Sequence, residues 1–167
     1  MARRATRLRQ KKTPMTILPR LTVILILATI AVTVARAQSE LAPGSAQLIT
    51  PEELVQILQS SSQEKPLILN VGPHLVYMQA HIPGAEYIGA ASDKQGMESL
   101  RRRVKTLPHN TSIVLYCGCC PWSHCPNVRP AYDELHKAGF SKVKVLYIAD
   151  NFGSDWVDKG YPTIKGQ

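Results

Sequence analysis

Nowhere in the 167 residues does an apolar run reach the ~20 residues that a helix needs to cross a bilayer. The longest, Leu21 to Val34, stops at 14. Acidic residues are missing from the first 37 positions, which hold eight of the 20 Lys and Arg: Arg3, Arg4, Arg7, Arg9, Lys11, Lys12, Arg20 and Arg36. The formal charge of +8 therefore belongs to this leader, and from Gln38 onward 12 basic residues face 12 acidic ones. A neutral domain lacks the electrostatic footprint of a nucleic-acid binder, and the cluster Arg101, Arg102, Arg103 and Lys105 is expected to be a solvated helix face. Cysteine is absent outside the nine residues from Cys117 to Cys125. No thiol follows the leader to take a lipid, and no distant pair exists to staple the fold with disulfides. Repeats and low-complexity tracts are also absent.

What is there begins with a basic segment, a compact apolar stretch and small residues at Ala35 and Ala37, the three parts of a cleavable secretory signal. Residues 1–37 are expected to be removed after Ala37, leaving a periplasmic or secreted protein whose membrane contact ends with the leader. An uncleaved anchor is the alternative, and an Arg-rich leader also suits a mitochondrial address, but the short apolar run argues for secretion. Residues 38–49, with Pro43-Gly44-Ser45, read as a linker, and one domain spans 50–163. With 44% hydrophobic residues the chain can bury a core.

Thr50, Pro51 and Glu53 form a capping box with proline at the first helical position, and Leu54, Ile57 and Leu58 give that helix an apolar face. The runs Leu67-Ile68-Leu69-Asn70-Val71, Ile113-Val114-Leu115-Tyr116 and Val143-Lys144-Val145-Leu146-Tyr147-Ile148 suit strands covered on both faces. Glu86-Tyr87-Ile88 offers a further short strand. Met97, Leu100, Val104 and Leu107 recur at helical spacing. A helix capped by Asn127, with Val128, Ala131, Tyr132 and Leu135 buried, ends at Gly139, and a short helix is expected from Asp155 to Lys159. Alternating strands and helices imply an α/β fold with a mainly parallel sheet flanked by helices.

In such sheets ligands sit beyond the carboxyl ends of the strands, where the run Ile113 to Tyr116 delivers Cys117. A thiol between a strand and a helix N-terminus meets backbone N–H groups and the positive end of the helix dipole, which lower its pKa and favour a nucleophilic anion. The Cys117 pKa is accordingly expected to fall.

Leu67-Ile68-Leu69-Asn70-Val71, Ala80-His81-Ile82-Pro83-Gly84-Ala85, Ile113 to Cys117, Lys137-Ala138-Gly139-Phe140 and Trp156-Val157-Asp158-Lys159-Gly160-Tyr161-Pro162, in this order and spacing, resemble the rhodanese-like family from about Thr50 to Pro162. The resemblance implies a single rhodanese-like domain and a sulfurtransferase in which Cys117 takes sulfane sulfur from a small donor such as thiosulfate. It would hold that sulfur as a persulfide cradled by loop N–H groups and pass it to a thiol acceptor, with no cofactor. Two departures stand out. Asn70-Val71-Gly72 replaces the family's Asp-Val-Arg, and the loop Gly118, Cys119, Cys120, Pro121, Trp122, Ser123, His124, Cys125, Pro126 is several residues longer than usual. The loop lacks the Arg that a Cys-loop phosphatase needs for an oxyanion.

Three readings of the additional cysteines stay open. Cys119, Cys120 or Cys125 resolves a sulfur species on Cys117 by disulfide formation. Alternatively, Cys117, Cys119, Cys120 and Cys125 with His124 hold copper or zinc. In the third reading the thiols pair into two local disulfides. His124 and Arg129 are equally well read as exposed residues, His81 as ordering a turn, Trp122 as a wall or a plug, and Trp156 as core.

Overall fold

The computed structural model describes residues 47–166, so the leader and most of the expected linker lie outside the described residues. Five strands, β1 (Leu48–Ile49), β2 (Leu67–Asn70), β3 (Glu86–Tyr87), β4 (Ile113–Tyr116) and β5 (Val143–Leu146), form one sheet in the order β1-β5-β4-β2-β3. Every neighbouring pair is parallel. Four helices accompany it: α1 (Pro51–Gln59), α2 (His74–Gln79), α3 (Lys94–Val104) and α4 (Val128–Lys137).

Strand periodicity divides the core into two layers. In β4, Ile113 and Leu115 face one side with Leu69, Val143 and Val145, against Leu100 and Val104 of α3 and Ala131 and Leu135 of α4. Val114 and Tyr116 face the other, with Ile68, Leu146, Leu54 of α1, Tyr77 of α2 and Trp156. Residues two apart on a strand share a face. The parity that turns Ile113 and Leu115 toward α3 and α4 thus carries Cys117 into the same layer, where it is buried.

Helix α1 starts where its sequence indicates. Thr50 Oγ1 accepts from Glu53 N at 3.2 Å, and Thr50 N donates to Glu53 Oε2 at 2.9 Å, a cap of a kind that contributes about 1 kcal/mol. Asp93 caps α3 by accepting from Gly96 N at 2.7 Å. The basic run of α3 is a solvated face carrying ion pairs, with Arg101 on Glu134 and Arg103 on Glu86.

Three boundaries differ from expectation. Leu48 and Ile49, read as linker, pair with Val145 and Leu146 as an edge strand, because β5 offers a free edge that two residues suffice to fill. The last long strand ends at Leu146, and Tyr147 N, just beyond it, still donates to Ile49 O of β1. In place of a helix from Asp155 to Lys159 there is a π-helical turn, Gly153–Val157, closed by Asp158 N on Gly153 O. That wider turn seats the fully buried Trp156, whose Nε1 donates to Pro162 O at 2.9 Å.

Candidate active site

The carboxyl ends of β2 and β4 build the floor of the site. Beyond the last registered pair, Asn70 with Tyr116, Val71 N donates to Tyr116 O, and the buried Asn70 amide ties the two ends together. Its Nδ2 donates to Cys117 O at 3.4 Å and its Oδ1 accepts from Gly72 N at 3.1 Å. Gly72 passes so close that a Cβ there would lie 2.3 Å from Cys117 O and 2.9 Å from Cys117 Sγ. Gly118 then turns the chain at φ +85°, against Phe152, whose N–H donates to Gly118 O at 3.0 Å.

The loop folds back so that all four Sγ atoms lie within 4.8 Å of one another. Cys117 Sγ is 3.1 Å from Cys119 Sγ, which is 3.2 Å from Cys120 Sγ. No disulfide joins them here, with Cys117 and Cys125 buried and Cys119 exposed. Trp122, like Cys120, is half-buried against the α3 and α4 layer, and its backbone N–H donates to Ile148 O. It roofs the core and anchors the loop at once. Ser123 and His124 point elsewhere: Ser123 Oγ and His124 Nδ1 pair at 3.0 Å in an exposed position. His124, included with the sulfurs as a metal ligand on sequence grounds, is not part of the thiol group. It belongs to a one-turn 3₁₀ segment, Trp122–His124, that carries its ring outward.

Asn127 departs most from its sequence reading. It occupies the N-cap position of α4 without making a side-chain cap. Its Oδ1 instead accepts from Ser92 N at 3.0 Å, and its Nδ2 donates to Cys117 Sγ at 3.3 Å. Because Ser92 N–H can only donate, the amide orientation follows from the network.

The electrostatics correct the expectation of a lowered pKa at Cys117. A hydrogen bond to Cys125 and burial both hold the Cys117 thiol in its protonated form. Cys125 goes the other way, down to about 6, because Cys117 donates to it and the backbone N–H groups of Asn127 and Val128 face its sulfur. Burial and Cys119 push Cys120 up to about 12. The physical reason is loop length. The helix N-terminus that stabilises an anion arrives at Cys125, eight residues after Cys117, and lowers that thiol instead.

A sequence profile described as "Rhodanese-like domain" matches residues 50–147. The chain belongs to the rhodanese-like family. Solved structures agree with that membership. The rhodanese-like chain is 21% identical to the Alr3790 protein of Anabaena sp., over 71% of this chain and 92% of that one, at a TM-score of 0.54. For the BH2092 protein of Bacillus halodurans the figures are 18%, 80%, 84% and 0.55. A rhodanese-like domain protein of Staphylococcus aureus gives 16%, 72%, 99% and 0.50. At these identities the likeness concerns the fold alone. No curated protein matches the sequence.

Within this rhodanese-like domain, Cys117, Cys119, Cys120 and Cys125 come together as one cluster, Gly118 and Trp122 shape its loop, and Ser123 and His124 stand outside it. Sequence reasoning missed Asn70, Gly72 and Asn127 as site residues. Two of them lie where this chain departs from the family's Asp-Val-Arg, which reads as a loss until the space and the amide are seen to serve Cys117.

Proposed function

We propose that the protein is an exported sulfurtransferase carrying sulfane sulfur as a persulfide on Cys117. The observation that carries this reading is Cys117 Sγ at the carboxyl end of β4 with Asn127 Nδ2 at 3.3 Å and Cys119 Sγ at 3.1 Å. A polar donor faces the sulfur on one side and a second thiol on the other. The Cys125 thiolate takes the proton of Cys117, and the Cys117 thiolate attacks the sulfane sulfur of a small donor. One S–S bond forms as the donor's breaks, and the donor leaves as the anion that thiosulfate or a persulfide yields. Cys119 is the exposed thiol, so donors reach the cluster from its side.

A thiol acceptor attacks the outer sulfur and frees Cys117. The 3.1 Å separation also favours an internal route. Cys119 attacks Cys117 Sγ, a Cys117–Cys119 disulfide forms, and hydrosulfide leaves, after which an external thiol must reduce the disulfide.

Reduced protein treated with thiosulfate or glutathione persulfide should gain the mass of one sulfur atom on the peptide containing Cys117, and added thiol should remove it. Cys117→Ser should gain none, whereas Cys119→Ser should load and lose only the disulfide route. Sulfur loading on Cys117→Ser equal to that of the parent would place the carrier elsewhere. Export rests on the leader, and the processed protein should begin at Gln38.

A further inference from the structure

We propose that Cys117, Cys119, Cys120 and Cys125 form a site for a single copper(I) ion, and that an occupied site carries no sulfur because Cys117 serves both. This goes beyond sulfur transfer and shares only the thiols with it. The donor set is sulfur alone, with the four Sγ atoms within 4.8 Å of one another. It is anchored at both ends by buried residues, Cys117 after β4 and Cys125 before α4, which pack into the layer formed with α3 and α4. Soft thiolates without carboxylate or imidazole select copper(I), zinc or iron–sulfur clusters.

Charge favours the monovalent ion. The 3.1 and 3.2 Å edges at Cys119 are shorter than the ~3.8 Å that tetrahedral zinc sets, and copper(I) sets its sulfurs no closer, so Cys119 shifts outward whichever ion enters. Four thiolates on a divalent ion leave a charge of −2, whereas copper(I) on the same four sulfurs needs only two of them deprotonated and leaves −1, the other two binding as neutral thiols. Burial penalises net charge steeply unless a counter-charge is near. Residues 117–127 contain no Lys or Arg. The groups facing the sulfurs are neutral N–H donors, Asn127 Nδ2 on Cys117 and the backbone of Asn127 and Val128 on Cys125. Such a pocket suits a singly charged complex. Binding displaces thiol protons to the buffer and needs no oxidant or reductant, since the ion enters already monovalent.

The test uses the full chain, reduced and kept anaerobic, with copper(I) supplied as its acetonitrile complex and zinc(II) sulfate in a parallel sample. About one copper per chain should survive desalting, as dedicated thiolate ligands predict, and copper-edge X-ray absorption should show only sulfur in the first shell. Cys120→Ser should weaken retention by at least the roughly 10- to 100-fold that losing an outer-shell partner costs, while still gaining sulfur on Cys117. Copper-loaded parent should gain no sulfur. Failure to retain copper while all four thiols titrate as free, or retention of zinc in preference to copper, overturns the site. Sulfur loading of copper-filled protein overturns the exclusion. If metal-free parent takes no sulfur at all, the transfer reading fails alone, and copper retention and the absorption spectrum still decide the site. They also decide it on the parent if Cys120→Ser does not fold.

Discussion

Asn127 is the residue on which the sulfur chemistry should turn without itself reacting. It is 3% exposed and spans two partners, accepting from Ser92 N and donating to Cys117 Sγ. A hydrogen bond to a charged group is worth about 1.5–3 kcal/mol. If that bond forms fully as Cys117 becomes anionic, its loss slows sulfur loading roughly 10- to 100-fold. Asn127→Ala should show this drop and also lose stability, because the Ser92 N–H loses its acceptor in a part-buried hydrogen bond, which costs about 1 kcal/mol. Asn127→Asp separates the two effects. It keeps an oxygen for Ser92 but sets a carboxylate beside the sulfurs, so loading should fall below that of the alanine variant although the Ser92 bond is retained. In both variants the pH profile of loading should move to higher pH, since an anionic Cys117 has lost its donor. Rates are read by mass spectrometry of quenched samples and stability by urea unfolding. Parent-like loading and an unshifted pH profile in both variants would refute the role.

Two further outcomes bear on the frame around the site. Gly72→Ala inserts a methyl carbon 2.3 Å from Cys117 O, an overlap that backbone must relieve at about 1–3 kcal/mol; thermal unfolding should shift down and sulfur loading should drop with it, and an unchanged melting temperature would contradict the close approach. Glu86, held below its ordinary pKa of 4.5 by its hydrogen bond to Arg103, stabilises the fold above pH 4.5 and loses that contribution as pH falls through its folded value. Glu86→Gln should therefore lower stability by up to about 1 kcal/mol at pH 7, the scale of a partly exposed pair. That difference should disappear in acid, and a deficit persisting once both states are protonated would show that the ion pair is not its origin.

The parts of the fold that could be read from residues alone are those whose signals are local. Thr50, Pro51 and Glu53 carry the start of α1 within four residues, and β2, β4 and β5 announce themselves as apolar runs because both faces of the sheet are covered. β1 has only two residues and exists because the free edge of β5 accepts them, so it reads as linker. Helix α2 carries no such local signal, since its six residues have no side-chain cap and bury Tyr77 against elements far away in sequence. The site was legible to the same degree. Position and residue type identify Cys117 and the thiols near it, but the anion's location depends on which sulfur the N-terminus of α4 meets. That is decided by how the loop folds between two fixed ends.

The site residues also explain one another. An N-cap asparagine that bonds its own helix is worth about 1 kcal/mol, and α4 forgoes it because the Asn127 amide is directed to Ser92 and Cys117. The family's acid and cation before the loop give way to Asn70, which is neutral and bonds both strand ends, and to Gly72, which leaves room for Cys117. Each change removes a charge or a side chain from beside the sulfurs, and each forgoes a local stabilising feature that an ordinary strand end or helix start would keep. Departures from local preference concentrate at functional sites. Here they converge on one group of thiols, whose shared negative charge is met by N–H groups instead of a cation. A cluster surrounded in that way is suited to hold its charge on sulfur, and to exchange a proton for a sulfane sulfur or a soft metal ion without a full counter-charge nearby.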